Sequence, residues 1–395
     1  MTLLLTAGTL VRGPADDRVA DGAVLVDGDR IVAAGPRGDV ERAPGAADAR
    51  RRHVHGTLLP GLIDAHVHLA FDGGDDPAGM LAGIGRTELE ERMAARAATL
   101  VRAGVTTARD LGDLGRATVG LRAAIRRGER TGPRLVLATT PLTSPGGHCW
   151  FLGGEVGTPE QVAALVADNA RAGADLIKVM ASGGAMTPGG PPMWQGQFTR
   201  DELAAVVRAA HAHGLPVAAH AHGTATIDDC VAAGVATIEH CSWRTPDRMA
   251  YDPEIARRIA ESGVAVCRCV SGDWRDFLRR LGANAEPLTA AIRAMRAAGV
   301  RFVAGTDAGV PGAAFDDYAG MLEFFAEIGF TPGEILDMAT VHAADALGLG
   351  AVTGRLRPGM SADVLAVDGD PADGPSVLRR PRLVLAGGRD VRRGA

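Results

Sequence analysis

Through the middle of the chain, short apolar runs that end in polar residues alternate with Ala-, Leu- and Arg-rich segments of helical period. That alternation predicts repeated βα units built around parallel strands. Eight runs stand out: TLLPGLIDAHVHLAF, GVTTARDLG, RLVLATTPL, DLIKVMASGG, LPVAAHAHG, VATIEHCS, VAVCRCVS and RFVAGTDAG. Eight parallel strands suit a closed barrel, and the stretch from His66 to Asp307 matches the roughly 250 residues such a barrel needs. Helices such as TRDELAAVVRAAHAHG and PGEILDMATVHAADALG fall outside the strands. The chain ends follow another pattern: LLLTAGTLV, GAVLVDGDRIVAAG, SADVLAVDGD and RPRLVLAGGRDV read as short strands with Asp-Gly and Gly-Gly turns. The expected fold class is α/β, a (β/α)8 TIM barrel over 58–354 with a small discontinuous β-sandwich domain from 1–57 and 355–395.

In such a barrel the chemistry sits at the C-terminal ends of the strands, where each run turns polar. The first run carries His66-Val67-His68, and a period of two puts both imidazoles on one face. Later runs supply Lys178, His220 or His222, His240 and Asp307, so strands one, four, five, six and eight deliver ligand-type groups to one mouth. Imidazoles and a carboxylate suit zinc or another first-row divalent ion. Of 42 Lys and Arg residues only Lys178 is Lys. A lone Lys suits a task closed to Arg, because an amine can lose its proton and react while a guanidinium cannot. Reaction with carbon dioxide converts the amine to a carbamate whose two oxygens can bridge two cations.

These residues give the chain its resemblance. GLIDAHVHL, AGVTTARDLG, GGHCW, DLIKVMASGG, LPVAAHAHG, TIEHCS, GTDAG and ALGLGAVTGRLRPGMSADVLAVDGDP, in that order, resemble the amidohydrolase superfamily, close to its imidazolonepropionase-like and metal-dependent dipeptidase (prolidase-like) branch. The resemblance implies two divalent metals, expected to be zinc. His66, His68 and Asp307 would hold the first, His220 and His240 the second, with carboxylated Lys178 between them. It also implies a metal-activated hydroxide with Asp307 as general base and acid, cleaving an amide bond of a dipeptide or N-acyl amino acid. His222 stands where relatives often carry Tyr, and is a candidate for catalysis or substrate contact.

Weaker signals surround this set. The loop SPGGHCWFLGGE places His148 and Trp150 over the expected mouth, with His148 a candidate donor to the scissile carbonyl. Cys149 beside it makes no convincing dyad, since adjacent residues rarely reach the geometry. ASGGAMTPGGPPMWQGQF, with Met186, Met193 and Trp194, reads as a covering loop. Arg268 in the seventh run suits either a substrate carboxylate or an ion pair with an acid on a neighbouring strand. Arg109-Asp110 reads as an ion pair at the rim. His53, His55, His211, His213 and His342 read as structural.

A net charge of −5 offers no field for nucleic acid, leaving a small-molecule substrate as the expected partner and room for a homo-oligomer. No run of about 18 apolar residues predicts a membrane span. Five scattered cysteines and an N-terminus without a basic leader point to a cytoplasmic protein. Three competing readings predict different metal contents. A hydrolase of linear or cyclic amides, imides or lactones built on this cluster needs two ions per chain. A mononuclear imidazolonepropionase- or deaminase-like enzyme needs one, and a non-catalytic scaffold needs none.

Overall fold

The computed structural model describes residues 2–391. All eight middle runs form strands: Leu62–Val67, Val105–Asp110, Arg134–Leu137, Ile177–Met180, Val217–Gly223, Thr237–Arg244, Ala265–Cys267 and Arg301–Val303. Every pairing among them is parallel, in one sheet of three strands and one of five. Backbone bonds cross both seams between the sheets. Leu142 N–H donates to the Lys178 carbonyl at 2.8 Å, and Asp307 N–H to the His66 carbonyl at 2.9 Å. The first run is two strands rather than one, because Thr57–Pro60 belongs to Arg50–Pro60 in the terminal sheet. Gly61 makes the break: a Cβ there would lie 2.0 Å from Thr106 Oγ1, so only glycine passes.

The strands are buried on both faces, as parallel sheets covered by helices are. The helix Arg200–His211 shows how the cover forms. Thr199 and Glu202 close its first turn as a capping box, and Leu203, Val206, Val207 and Ala210 recur along one stripe that packs inward. Val67, between the two histidines of strand one, joins this core with Leu69, Met93 and Val101.

Both chain ends meet in one seven-stranded sheet. Its order is Arg389–Asp390, Leu383–Ala386, Val364–Val367, Arg50–Pro60, Leu3–Val11, Arg18–Asp27 and Arg30–Pro36. The sheet curls until Ile31 N–H reaches the Met360 carbonyl at 2.9 Å. Leu5, Leu10, Val24 and Val364 pack into one apolar cluster, and Leu4, Ala23, Leu25 and Val40 into another. Met1 and residues 392–395, the outer ends of the expected terminal domain, lie outside the described residues. Among the described residues no helix is long and apolar enough to cross a membrane.

Candidate functional site

A cavity of about 470 Å³, sized for a small molecule, opens at the C-terminal ends of the parallel strands. Its lining includes His66, His68, His148, Lys178, His220, His222, His240, Arg268 and Asp307. The structure therefore brings every expected ligand together. Trp150 stands outside the cavity and is 46% exposed. From the covering loop, Met186 and Met193 line the cavity while Trp194 does not.

His66 Nε2 lies 3.3 Å from His68 Nε2 and 3.2 Å from Asp307 Oδ1. His68 Nε2 is 3.6 Å from the same oxygen, and His240 Nδ1 is 3.9 Å from Oδ2. Asp307 Oδ1 is nevertheless buried without any hydrogen-bond donor. Lone pairs converging on an unsatisfied carboxylate oxygen suit a cation held between them. Among the described residues three groups have donor atoms mutually within 4.8 Å: His66, His240, Cys269 and Asp307; His220, His222 and His240; and His66, Glu239, Cys267 and Cys269.

The outer nitrogens of these rings are also held. His66 Nδ1 meets Glu239 Oε2 at 2.9 Å, and His68 Nδ1 meets the Gly112 carbonyl at 3.2 Å. Such contacts fix the tautomer that leaves Nε2 free as a ligand. His220 Nε2 is spent on the Gly183 carbonyl at 3.1 Å, and His222 Nδ1 on Ser242 Oγ at 2.7 Å. Both histidines therefore remain near His240, with ring centroids 4.6 and 4.7 Å from it.

Backbone strain is concentrated at the same place. Asp307 and His240 have φ of 62° and 67°, left-handed values that cost about 1–3 kcal/mol each for non-glycine residues. Gly305 lets strand eight close on strand one, since a Cβ there would lie 2.4 Å from Cys267 Sγ and 3.0 Å from His66 Cβ.

Burial dominates the electrostatics. It holds His68, His220, His222 and His240 well below their ordinary value and lowers His148 to about 4. Burial also pushes the Lys178 ammonium down, toward the neutral amine. For His66 burial acts downward too, but Cys269 and Asp307 outweigh it and lift the ring to about 10.

Arg109 corrects one expectation. It is 2% exposed and pairs with Glu239 at 2.8 Å, while Asp110 accepts from the Leu69 and Gly112 amides. A buried guanidinium takes the acid across the sheet because its own neighbour is already satisfied by backbone. Arg268 has no carboxylate partner among the described residues; its Nη1 donates to the Cys269 carbonyl at 2.9 Å. Glu239 and Cys269, 3.1 Å from His66 Nδ1, were not singled out from sequence. The available signals were adjacency to His240 for the first and the two-residue spacing of Cys267 and Cys269 for the second.

A cluster of imidazoles and a carboxylate at the ends of parallel strands, facing a cavity for a small molecule, is a set of residues that could hold a metal ion beside a substrate. The amidohydrolase family matches residues 57–390. The chain belongs to that family and is one of its hydrolases. It is 29% identical to ochratoxinase of Aspergillus niger, over 96% of this chain and 84% of that protein. It is 28% identical to imidazolonepropionase of Sphingopyxis alaskensis, over 90% and 88%. The solved structure of a Xaa-Pro dipeptidase with methionine in its active site superposes with a TM-score of 0.85 at 26% identity, covering 99% of both chains.

Proposed function

We propose that this protein hydrolyses an amide bond of a small substrate, a dipeptide or N-acyl amino acid, using two divalent metal ions, expected to be zinc. In this reading the eight parallel strands are a (β/α)8 barrel over 58–354, and the chain ends form a β-sandwich domain from 1–57 and 355–395. The observation that carries it is the unsatisfied Asp307 Oδ1 among converging histidine nitrogens, with a buried lysine on the same cavity.

His66, His68 and Asp307 would hold one ion, His220 and His240 the other, and Lys178 would bridge them. The Lys178 amine, already biased toward its neutral form, adds to the carbon of carbon dioxide and releases a proton, giving a carbamate. When bound, the ions supply Lewis acidity and lower the pKa of water. The remaining work falls to side chains. Asp307 accepts the proton of the attacking water and returns it to the leaving nitrogen. Thr187 Oγ1 accepts from the Cys149 amide at 2.8 Å and lies 3.2 Å from His148 Nδ1. A hydroxyl proton given to that nitrogen would keep the His148 proton on Nε2, to donate to the substrate carbonyl. His222, held by Ser242, would contact substrate.

The test is metal analysis of the purified protein, with a mass-spectrometric hydrolysis screen of dipeptides, N-acyl amino acids, lactones and cyclic amides. Near two ions per chain and cleavage of linear amides is the expected result. The likeness to an imidazolonepropionase favours a second reading, in which only rings open. One ion per chain with ring opening alone would replace the first reading by the second.

A further inference from the structure

Arg244, Arg268 and Arg280 line one side of the cavity, whose lining carboxylates are Asp75 and Asp307. Among the described residues no carboxylate comes within ion-pair distance of Arg244 or Arg268. Arg268 is 4% exposed. One of its Nη groups is spent on the Cys269 carbonyl, and its Nε is buried without an acceptor. The Nε of Arg244 is likewise buried and unpaired. The acidic groups that act on Arg268 are the thiols of Cys269, Cys241 and Cys267, and the first of these lies against His66.

A guanidinium stays charged where an amine would yield its proton, so burial cannot neutralise Arg268. A buried cation with unmet N–H groups is unfavourable unless an anion completes it. The open side of this pair is the cavity itself. His222 and Ser242, bonded to each other at 2.7 Å, line the same cavity and add neutral polar groups near Arg244.

We propose that Arg268 and Arg244 form a carboxylate-binding subsite, so that the enzyme selects amides bearing a free carboxylate over their neutral counterparts. The carboxylate docks on the two guanidiniums while the scissile amide reaches the His66–Asp307 cluster. Met186, Met193, Phe277 and Val310 offer apolar surface to the substrate side chain. The proposal rests on the hydrolase reading for turnover, but the binding of the acid can be measured without it.

The experiment titrates the zinc-reconstituted full chain calorimetrically with N-acetyl-L-leucine and with its carboxamide, following cleavage of each in parallel. The acid should bind roughly 30-fold or more tighter, the loss expected when a buried charge goes unpaired. Arg268→Met should reduce that ratio to about threefold or less, Arg244→Gln should reduce it partly, and Arg268→Lys should retain part of it. If Arg268→Met fails to fold, the ratio in Arg268→Lys and Arg244→Gln decides. A wild-type ratio near one, or a ratio that survives these substitutions, overturns the subsite. Acid bound selectively through the arginines but never cleaved supports the subsite and counts against linear-amide hydrolysis. Cleavage of both ligands without preference does the reverse.

Discussion

Two parts of the barrel interior treat buried charge in opposite ways. Around strands one and two and the start of strand six, each charge is answered. Arg109 pairs with Glu239, Thr237 Oγ1 adds a bond to the same carboxylate, and Glu239 holds His66. Asp64 is closed in by Thr306 Oγ1 at 2.6 Å and by two backbone amides. On the side of Arg244 and Arg268, no carboxylate among the described residues answers the cations. Compensated charge gives rigidity, and here it holds the His66 ring in place. Uncompensated charge gives affinity for whatever supplies the missing sign.

The sharpest break of this contrast is Lys178→Arg. A guanidinium cannot become a carbamate, so the answered side should lose its bridge. Metal analysis should fall from near two ions per chain to one or fewer, and kcat/KM should drop on the order of 1000-fold. Two ions and full activity in that variant would remove Lys178 from the mechanism.

Glu239→Gln should come next. It leaves the buried Arg109 without its anion, a loss of about 3–5 kcal/mol that urea unfolding would read. Released from its carboxylate, His66 should bind metal roughly 10–100-fold more weakly. A stable variant with wild-type metal affinity would show that the Glu239 network does not orient the site.

In thermal melts the metal-free protein should lose stability as pH falls below about 6.5. Below the ordinary histidine value of 6.5, the unfolded chain takes up protons that His68, His148, His220, His222 and His240 refuse when folded, so stability falls as pH drops. Asp64 and Asp110, raised by burial to about 6 and about 8, oppose this but are outnumbered. Above 6.5 opposing shifts offset one another: Asp110 and His66, raised to about 8 and about 10, keep protons in the folded chain, while Cys269, lowered to about 7, and Lys178, lowered by burial, release theirs. Each net proton contributes about 1.4 kcal/mol per pH unit. Stability that rises as pH falls from 6.5 to 5 would contradict the balance. Metal loading should flatten the acid limb, because bound imidazoles resist protonation.

The smallest effect belongs outside both sides. Trp150→Ala should change kcat/KM by less than about twofold, since the ring is exposed and does not line the cavity. A large loss in steady-state assays would show that the loop closes over substrate during turnover.

The sequence by itself determined the eight parallel strands, the meeting of both chain ends in one sheet, and the presence of His66, His68, Lys178, His220, His240 and Asp307 at one mouth. These were legible because strand period and the polar ends of strands are local properties, and because a lone lysine stands out against 41 arginines. Only the tertiary structure decided that Arg109 reaches Glu239 rather than Asp110, that Cys269 lies against His66, that Trp150 stands outside the cavity, and that among the described residues Arg268 has no carboxylate partner. The partner of a buried charge is set by which strands pack together and how far each side chain reaches across the sheet. Pairings such as Arg109 with Glu239, 130 residues apart, leave no trace in local pattern.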